Sequence, residues 1–113
     1  MKILITGING LVGNSLFKLL QNSDHKLFFS SRNHGGLANY KVDISNKGEV
    51  NDFFMSQKPD IVINCAAMAN VDLCEEEKEL CWKINVSGVK NLVDACKRYS
   101  THLTHISTDY IFD

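Results

Sequence analysis

The stretch Lys2-Ile3-Leu4-Ile5-Thr6-Gly7-Ile8-Asn9-Gly10-Leu11-Val12-Gly13 decides the fold. A short apolar run from Lys2 to Thr6 stops at a turn spelling Gly-x-x-Gly-x-x-Gly. Val12, Leu16, Phe17 and Leu20 then recur at helical spacing. Each glycine has its own task. Gly7 permits the tight turn, Gly10 lets backbone amides approach a pyrophosphate, and Gly13 lets the helix lie close to the strand. The helix N-terminus that follows adds unpaired N–H groups and a partial positive charge. Glycines at this spacing are weak evidence alone. The strand–turn–helix context makes them a candidate dinucleotide site.

Outward from this corner, strands and helices alternate. Leu27 to Ser30 reads as a second strand, Asn33 to Asn39 as an exposed loop, and Tyr40 to Ile44 as a third strand. Ser45 is the expected N-cap of a helix burying Val50, Phe53 and Phe54 and ended by Pro59. Asp60 to Cys65 contains the β-branched run of a strand buried on both faces. A long helix is expected from Glu75 to Tyr99, striped by Leu80, Ile84, Gly88, Leu92 and Cys96. Leu103 to Ser107 gives a fifth strand. This alternation predicts one Rossmann-type α/β domain over residues 1–113, with a parallel sheet in the order 3-2-1-4-5 and helices on both faces.

The bulk numbers exclude several function classes. Hydrophobic residues make up 44% and charged residues 22% of 113, which is the balance of a globular domain rather than a disordered chain. A net charge of -1 gives no reason to expect nucleic acid or an anionic membrane as partner. No apolar run approaches the roughly 18 residues of a membrane span, so a cytoplasmic protein is expected. The cysteines Cys65, Cys74, Cys81 and Cys96 form no Cys-x-x-Cys pair and are expected to be free. The four histidines are scattered, and no metal site is expected.

Cofactor choice is read at the end of the second strand. An NAD-selective site carries an acid there, about 20 residues past the glycines, to bond the ribose 2′-hydroxyl. Here stand Ser30-Ser31-Arg32. An arginine can meet a 2′-phosphate through a bidentate, charge-assisted pair, which favours NADP(H), with NAD(H) as the alternative. The plain alternative for Arg32 is a solvated surface residue.

Three further segments carry a resemblance. They are Asn64-Cys65-Ala66-Ala67 closing the fourth strand, Asn85 within Trp82-Lys83-Ile84-Asn85-Val86-Ser87-Gly88, and Ile106-Ser107-Thr108-Asp109-Tyr110-Ile111-Phe112-Asp113. With the glycine turn, these resemble the extended short-chain dehydrogenase/reductase superfamily. The terminal segment and Val71-Asp72-Leu73-Cys74-Glu75 look most like the dTDP-4-dehydrorhamnose reductase family of dTDP-rhamnose biosynthesis. The resemblance implies that Gly10, Leu11 and Val12 hold the pyrophosphate and that Arg32 meets the adenosine ribose. Asp43 and Ile44 would flank the adenine, while Ala66, Ala67 and Met68 line the cofactor channel. Asn85 would support the proton relay and Thr108 would be the catalytic hydroxyl, with Thr108, Asp109 and Tyr110 at the sugar. Plain alternatives exist for three of these. Thr108 could cap a strand end, Asn85 could bond a loop carbonyl, and Asp43 could close an Asx-type turn or cap a helix.

The superfamily's active-site pair is Tyr-x-x-x-Lys, and this sequence has none. Four residues after Tyr40 and Tyr99 stand Ile44 and Leu103, and Tyr110 has no residue four places on. The chain is therefore expected to be the N-terminal part of a longer domain, truncated before the substrate lobe and inactive alone. In its longer form a nucleotide sugar would be the substrate, and homo-oligomers are expected. Two other readings stay open. One is a sugar-nucleotide epimerase or dehydratase of the same superfamily, and the other a non-catalytic, dinucleotide-binding regulatory subunit.

Overall fold

A computed structural model of the protein describes residues 1–32, 35–65 and 76–106. Five parallel strands form one sheet: β1 (Lys2–Thr6), β2 (Lys26–Ser31), β3 (Tyr40–Lys41), β4 (Ile61–Asn64) and β5 (His102–His105). Their order is β3-β2-β1-β4-β5, as the alternation predicts. In register, Ile3 lies opposite both Leu27 and Ile61, and Asn64 lies opposite both Thr6 and His105.

Successive strand residues point to opposite faces, so the sheet builds two cores. On one face Ile3, Ile5, Ile8 and Phe29 pack against Leu16, Phe17 and Leu20 of helix α1 (Leu11–Leu20). Leu37 and Ala38 extend this cover, so the segment expected to be an exposed loop shields part of the sheet. On the other face Leu4, Phe28 and Val62 meet α2 (Lys47–Gln57) through Val50, Phe53 and Phe54. They also meet α4 (Val89–Tyr99) through Leu92, Ala95 and Cys96. Phe28, Phe53 and Tyr40 stack edge-on, with ring centroids 5.1–5.7 Å apart. Burying each large side chain of this kind is worth about 1.5–3 kcal/mol.

Local chemistry moved three expected boundaries. β3 stops at Lys41 because Asp43 bends the chain, its Oδ1 accepting from the Ser45 backbone N–H at 3.0 Å and the Ser45 hydroxyl at 2.7 Å. That commits Ser45 to the turn, and Asn46 becomes the N-cap instead, accepting from Glu49 N–H at 3.1 Å. The long helix, third, is not uniform. Helix α3 (Lys78–Trp82) leads into a π-helical segment, Lys83–Gly88, before α4. A stripe spaced by four residues drifts about 40° per step on an α-helix. The wider π winding offsets that drift, so Ile84, Gly88, Leu92 and Cys96 all reach the interior.

The cysteines also differ from expectation. Cys65 and Cys96 are free, but Cys81 is disulfide-bonded. The absence of a Cys-x-x-Cys pair argues against a zinc or redox-dithiol motif and does not exclude a disulfide. Among the described residues, no helix is long and apolar enough to cross a membrane, and no group of three or more metal-ligating side chains gathers.

Candidate functional site

The carboxyl ends of β1, β2 and β3 carry the candidate binding residues in a row. Between β1 and α1, Gly7 takes a left-handed conformation at φ 68°, and its carbonyl accepts from Gly10 N–H at 3.1 Å. Gly13 is packed so tightly that a Cβ there would stand 2.4 Å from the Gly7 carbonyl oxygen. No side chain fits. Gly10 differs, because a Cβ on it would meet the Gly7 oxygen at an ordinary 3.4 Å. Intramolecular packing does not demand a glycine at position 10, and the ground above it is open.

Gly10 is also the N-cap of α1, and no side chain caps this helix start. The first turn holds no acidic residue, and Leu11 and Val12 are exposed. An uncapped, acid-free helix start in front of a bare glycine fits the pyrophosphate of a dinucleotide.

The adjoining strand end is fixed by polar contacts. Ile8 N–H donates to the Ser30 carbonyl at 3.0 Å, and the buried Ser30 hydroxyl donates to the Ile5 carbonyl at 3.1 Å. Arg32, next after β2, is exposed and forms no ion pair among the described residues. Val42 N–H donates to the Ser31 carbonyl at 3.0 Å, bringing the β3 end alongside.

Asp43 uses Oδ1 in its turn, while its N–H donates to Glu49 Oε1 at 3.2 Å. The same oxygen accepts from Lys41 Nζ at 3.0 Å. The Asx-type turn, raised as the plain alternative, is thus present, and Oδ2 is the carboxylate oxygen outside it. The Ile44 side chain belongs to the core, leaving its main chain as the part able to meet a ligand.

On the other side of β1, the Thr6 hydroxyl donates to Asn64 Oδ1 at 2.5 Å, and Asn64 Nδ2 lies 3.0 Å from His105 Nδ1. Thr6 and Asn64 are fully buried. Three strand ends, β1, β4 and β5, are thereby tied where the chain's winding reverses, the place where open α/β sheets bind ligands. Sequence reasoning quoted Asn64 within a motif and gave it no task. Thr6 and His105 were missed altogether, since nothing local marks an alignment of strand ends.

Asn85 lies inside the π segment, half-buried, with Nδ2 donating to Cys81 Sγ at 3.2 Å. Ala66, Ala67, Met68, Thr108, Asp109 and Tyr110 lie outside the described residues.

A dTDP-4-dehydrorhamnose reductase from Aggregatibacter actinomycetemcomitans is 38% identical over 99% of this chain and 36% of its own length. The chain spans about a third of the curated relatives it matches first, between 31% and 36% of their lengths. The crystal structure of a dTDP-4-dehydrorhamnose reductase from Clostridium acetobutylicum superimposes with a TM-score of 0.85 at 42% identity, covering 100% of this chain and 38% of that one. That of a dTDP-4-dehydrorhamnose reductase from Bacillus anthracis, in complex with NADP, gives a TM-score of 0.83 at 32% identity, covering 98% and 37%. The family model described as the RmlD substrate binding domain matches residues 1–113. With its parallel sheet, its glycine corner and a match along its whole length, the chain belongs to the RmlD substrate binding domain family.

Proposed function

We propose that residues 1–113 form the cofactor-binding part of an NADP(H)-dependent reductase acting on a nucleotide-linked 4-keto-6-deoxysugar. One observation carries the reading. The uncapped start of α1, with open ground at Gly10, sits beside a strand end that holds Arg32 and no acid. The NADP-bound relative from Bacillus anthracis and the Aggregatibacter actinomycetemcomitans reductase at 38% identity support it.

In this reading Gly7, Gly10, Leu11, Val12 and Gly13 form the pyrophosphate cradle. Arg32 pairs with the 2′-phosphate, and Asp43 Oδ2 accepts from the adenine amine beside the Ile44 main chain. Ala66, Ala67 and Met68 continue the channel. When bound, the nicotinamide supplies the hydride. Negative charge then builds on the ketone oxygen, and a hydroxyl donor such as Thr108 stabilises it. Asn85 orients the proton path, with Asp109 and Tyr110 at the sugar.

The test is calorimetric titration of NADPH and NADH against the parent protein and Arg32→Ala. Losing one charge-assisted contact is expected to cost about 1.5–3 kcal/mol for NADPH and little for NADH. Equal affinity of the parent for both cofactors would sink the NADP(H) assignment.

A further inference from the structure

Asn9, just before the second glycine of the turn, makes contacts that the proposed function leaves unexplained. Its side-chain amide reaches across to the segment following β2. Oδ1 accepts from Leu37 N–H at 2.8 Å, and Nδ2 donates to the Gly35 carbonyl at 3.1 Å. The amide thus pairs with the main chain on both sides of Gly36, much as a neighbouring strand would. Gly36 is left-handed at φ 57°, and a Cβ on it would stand 2.2 Å from Asn9 Oδ1. Only glycine lets the amide lie against that backbone.

The main chain of Asn9 is held as well. Its carbonyl accepts from Asn14 Nδ2 at 3.2 Å, and the preceding Ile8 N–H donates to the Ser30 carbonyl at 3.0 Å. At its far end the same segment is fastened to β2. Asn39 N–H donates to the Phe29 carbonyl at 2.8 Å, and Asn39 Oδ1 accepts from Phe29 N–H at 3.0 Å. The chain leaving β2 past Arg32 is therefore tied to the sheet at Asn39 and to the glycine turn at Asn9.

We propose that Asn9 is a positioning residue: by clamping the Gly35–Leu37 segment to the glycine turn, it sets the discrimination between a 2′-phosphorylated dinucleotide and its unphosphorylated counterpart. This rests on the reading of Arg32 as the 2′-phosphate partner. A bidentate guanidinium–phosphate pair demands a fixed geometry, whereas a ribose hydroxyl is met by looser contacts. The Asn9 amide joins the segment that follows Arg32 to the turn proposed to hold the pyrophosphate. It thereby fixes the span between the two phosphate sites. Its hydrogen bonds are solvent-exposed, so their loss leaves the fold in place.

The experiment measures NADPH and NADH affinities by calorimetry on the protein at its full natural length. The variants are Asn9→Ala, Gly36→Ala, Arg32→Ala and the double variant Asn9→Ala/Arg32→Ala. Asn9→Ala is expected to lower the NADPH-to-NADH affinity ratio by roughly three- to tenfold, the scale of one impaired charged contact. Gly36→Ala displaces the same amide from the other side and should lower the ratio in the same direction. Once Arg32 is alanine, removing Asn9 should leave the ratio where it is. Because each ratio is taken within one variant, a reduced folded fraction cancels. Equal weakening of both cofactors by Asn9→Ala, or no change in either, overturns the positioning role while leaving the Arg32 reading intact. A ratio that Arg32→Ala does not move overturns the Arg32 reading, and the inference with it.

Discussion

Gly88 lies against Ile44 so closely that a Cβ on Gly88 would stand 2.6 Å from Ile44 Cγ1. Three residues on, Asn91 Nδ2 donates to the Ile44 carbonyl at 2.9 Å. The long helix is thereby docked on the bend that carries Asp43. Gly88→Ala should force the two apart, at the roughly 1–3 kcal/mol typical of overpacking a filled core. Urea denaturation checks this, and an unchanged midpoint would show that the contact relaxes freely.

The free thiols of Cys65 and Cys96 are expected to be unreactive at neutral pH. Burial pushes both Cys65 and Cys96 up from 9.0 to about 11. At pH 8 that leaves roughly a hundredfold less thiolate than an unperturbed thiol would show. The raised values also set a sign for stability. The folded state holds these protons more tightly, so the contribution is complete below pH 9 and is lost as pH rises through about 11. Peptide-resolved alkylation between pH 7 and 11 should show rates at Cys65 and Cys96 still climbing at the top of the range. A plateau near pH 9 would contradict the burial argument.

Self-association is expected next. Among the described residues strand β5 is an outer strand of the sheet, with His102 and His105 exposed, and an outer strand edge invites pairing. Trp82 and Val86, four residues apart on the long helix, are 62% and 44% exposed. Together they leave apolar surface for a neighbour to cover. Light scattering should show an apparent mass that rises with concentration. A constant monomer mass would count against it.

The chain by itself is expected to oxidise no NADPH in a substrate-dependent way, because none of Tyr40, Tyr99 and Tyr110 is followed by a lysine four residues later. A positioned proton donor is worth about 10²- to 10⁴-fold. Holding the substrate in register can add about 7–11 kcal/mol. The assay follows NADPH absorbance with a dTDP-4-keto-6-deoxysugar, comparing residues 1–113 with any longer natural form. In an active longer form, Thr108→Val should reduce turnover. Turnover by the 113-residue chain at the longer form's rate would refute the argument.

What the sequence disclosed tracks the range of the forces involved. The glycine corner, the buried β4 run and the strand order were legible because period and turn chemistry are local, and parallel connections admit few topologies. The N-cap was misplaced by one residue because Ser45 and Asn46 are both good caps, and only the Asp43 turn decides between them. The fourfold stripe from Leu80 to Cys96 was visible, but its meaning as a π segment was not, since an α-helix tolerates the same residues. Within the site, the motif glycines and Arg32 could be picked out by type and position. The Thr6–Asn64–His105 chain and the Asn9 clamp could not, because such hydrogen bonds exist only once distant segments meet.

The widened turns at Lys83–Gly88 make the bearing of Asn85 sensitive to length more than to composition. Gly88 apart, many side chains could fill those positions without altering the winding. Deleting a single residue is another matter. It would let the helix close back to α winding while α3 kept nearly its bearing relative to Leu92 and Cys96, since the widened stretch holds one residue more than α winding needs. Leu80 would stay with the core cluster it packs against, whereas Asn85, inside the segment, would turn away from its present bearing. The aim of Asn85 is therefore written in the number of residues between Trp82 and Val89, one more than α winding needs.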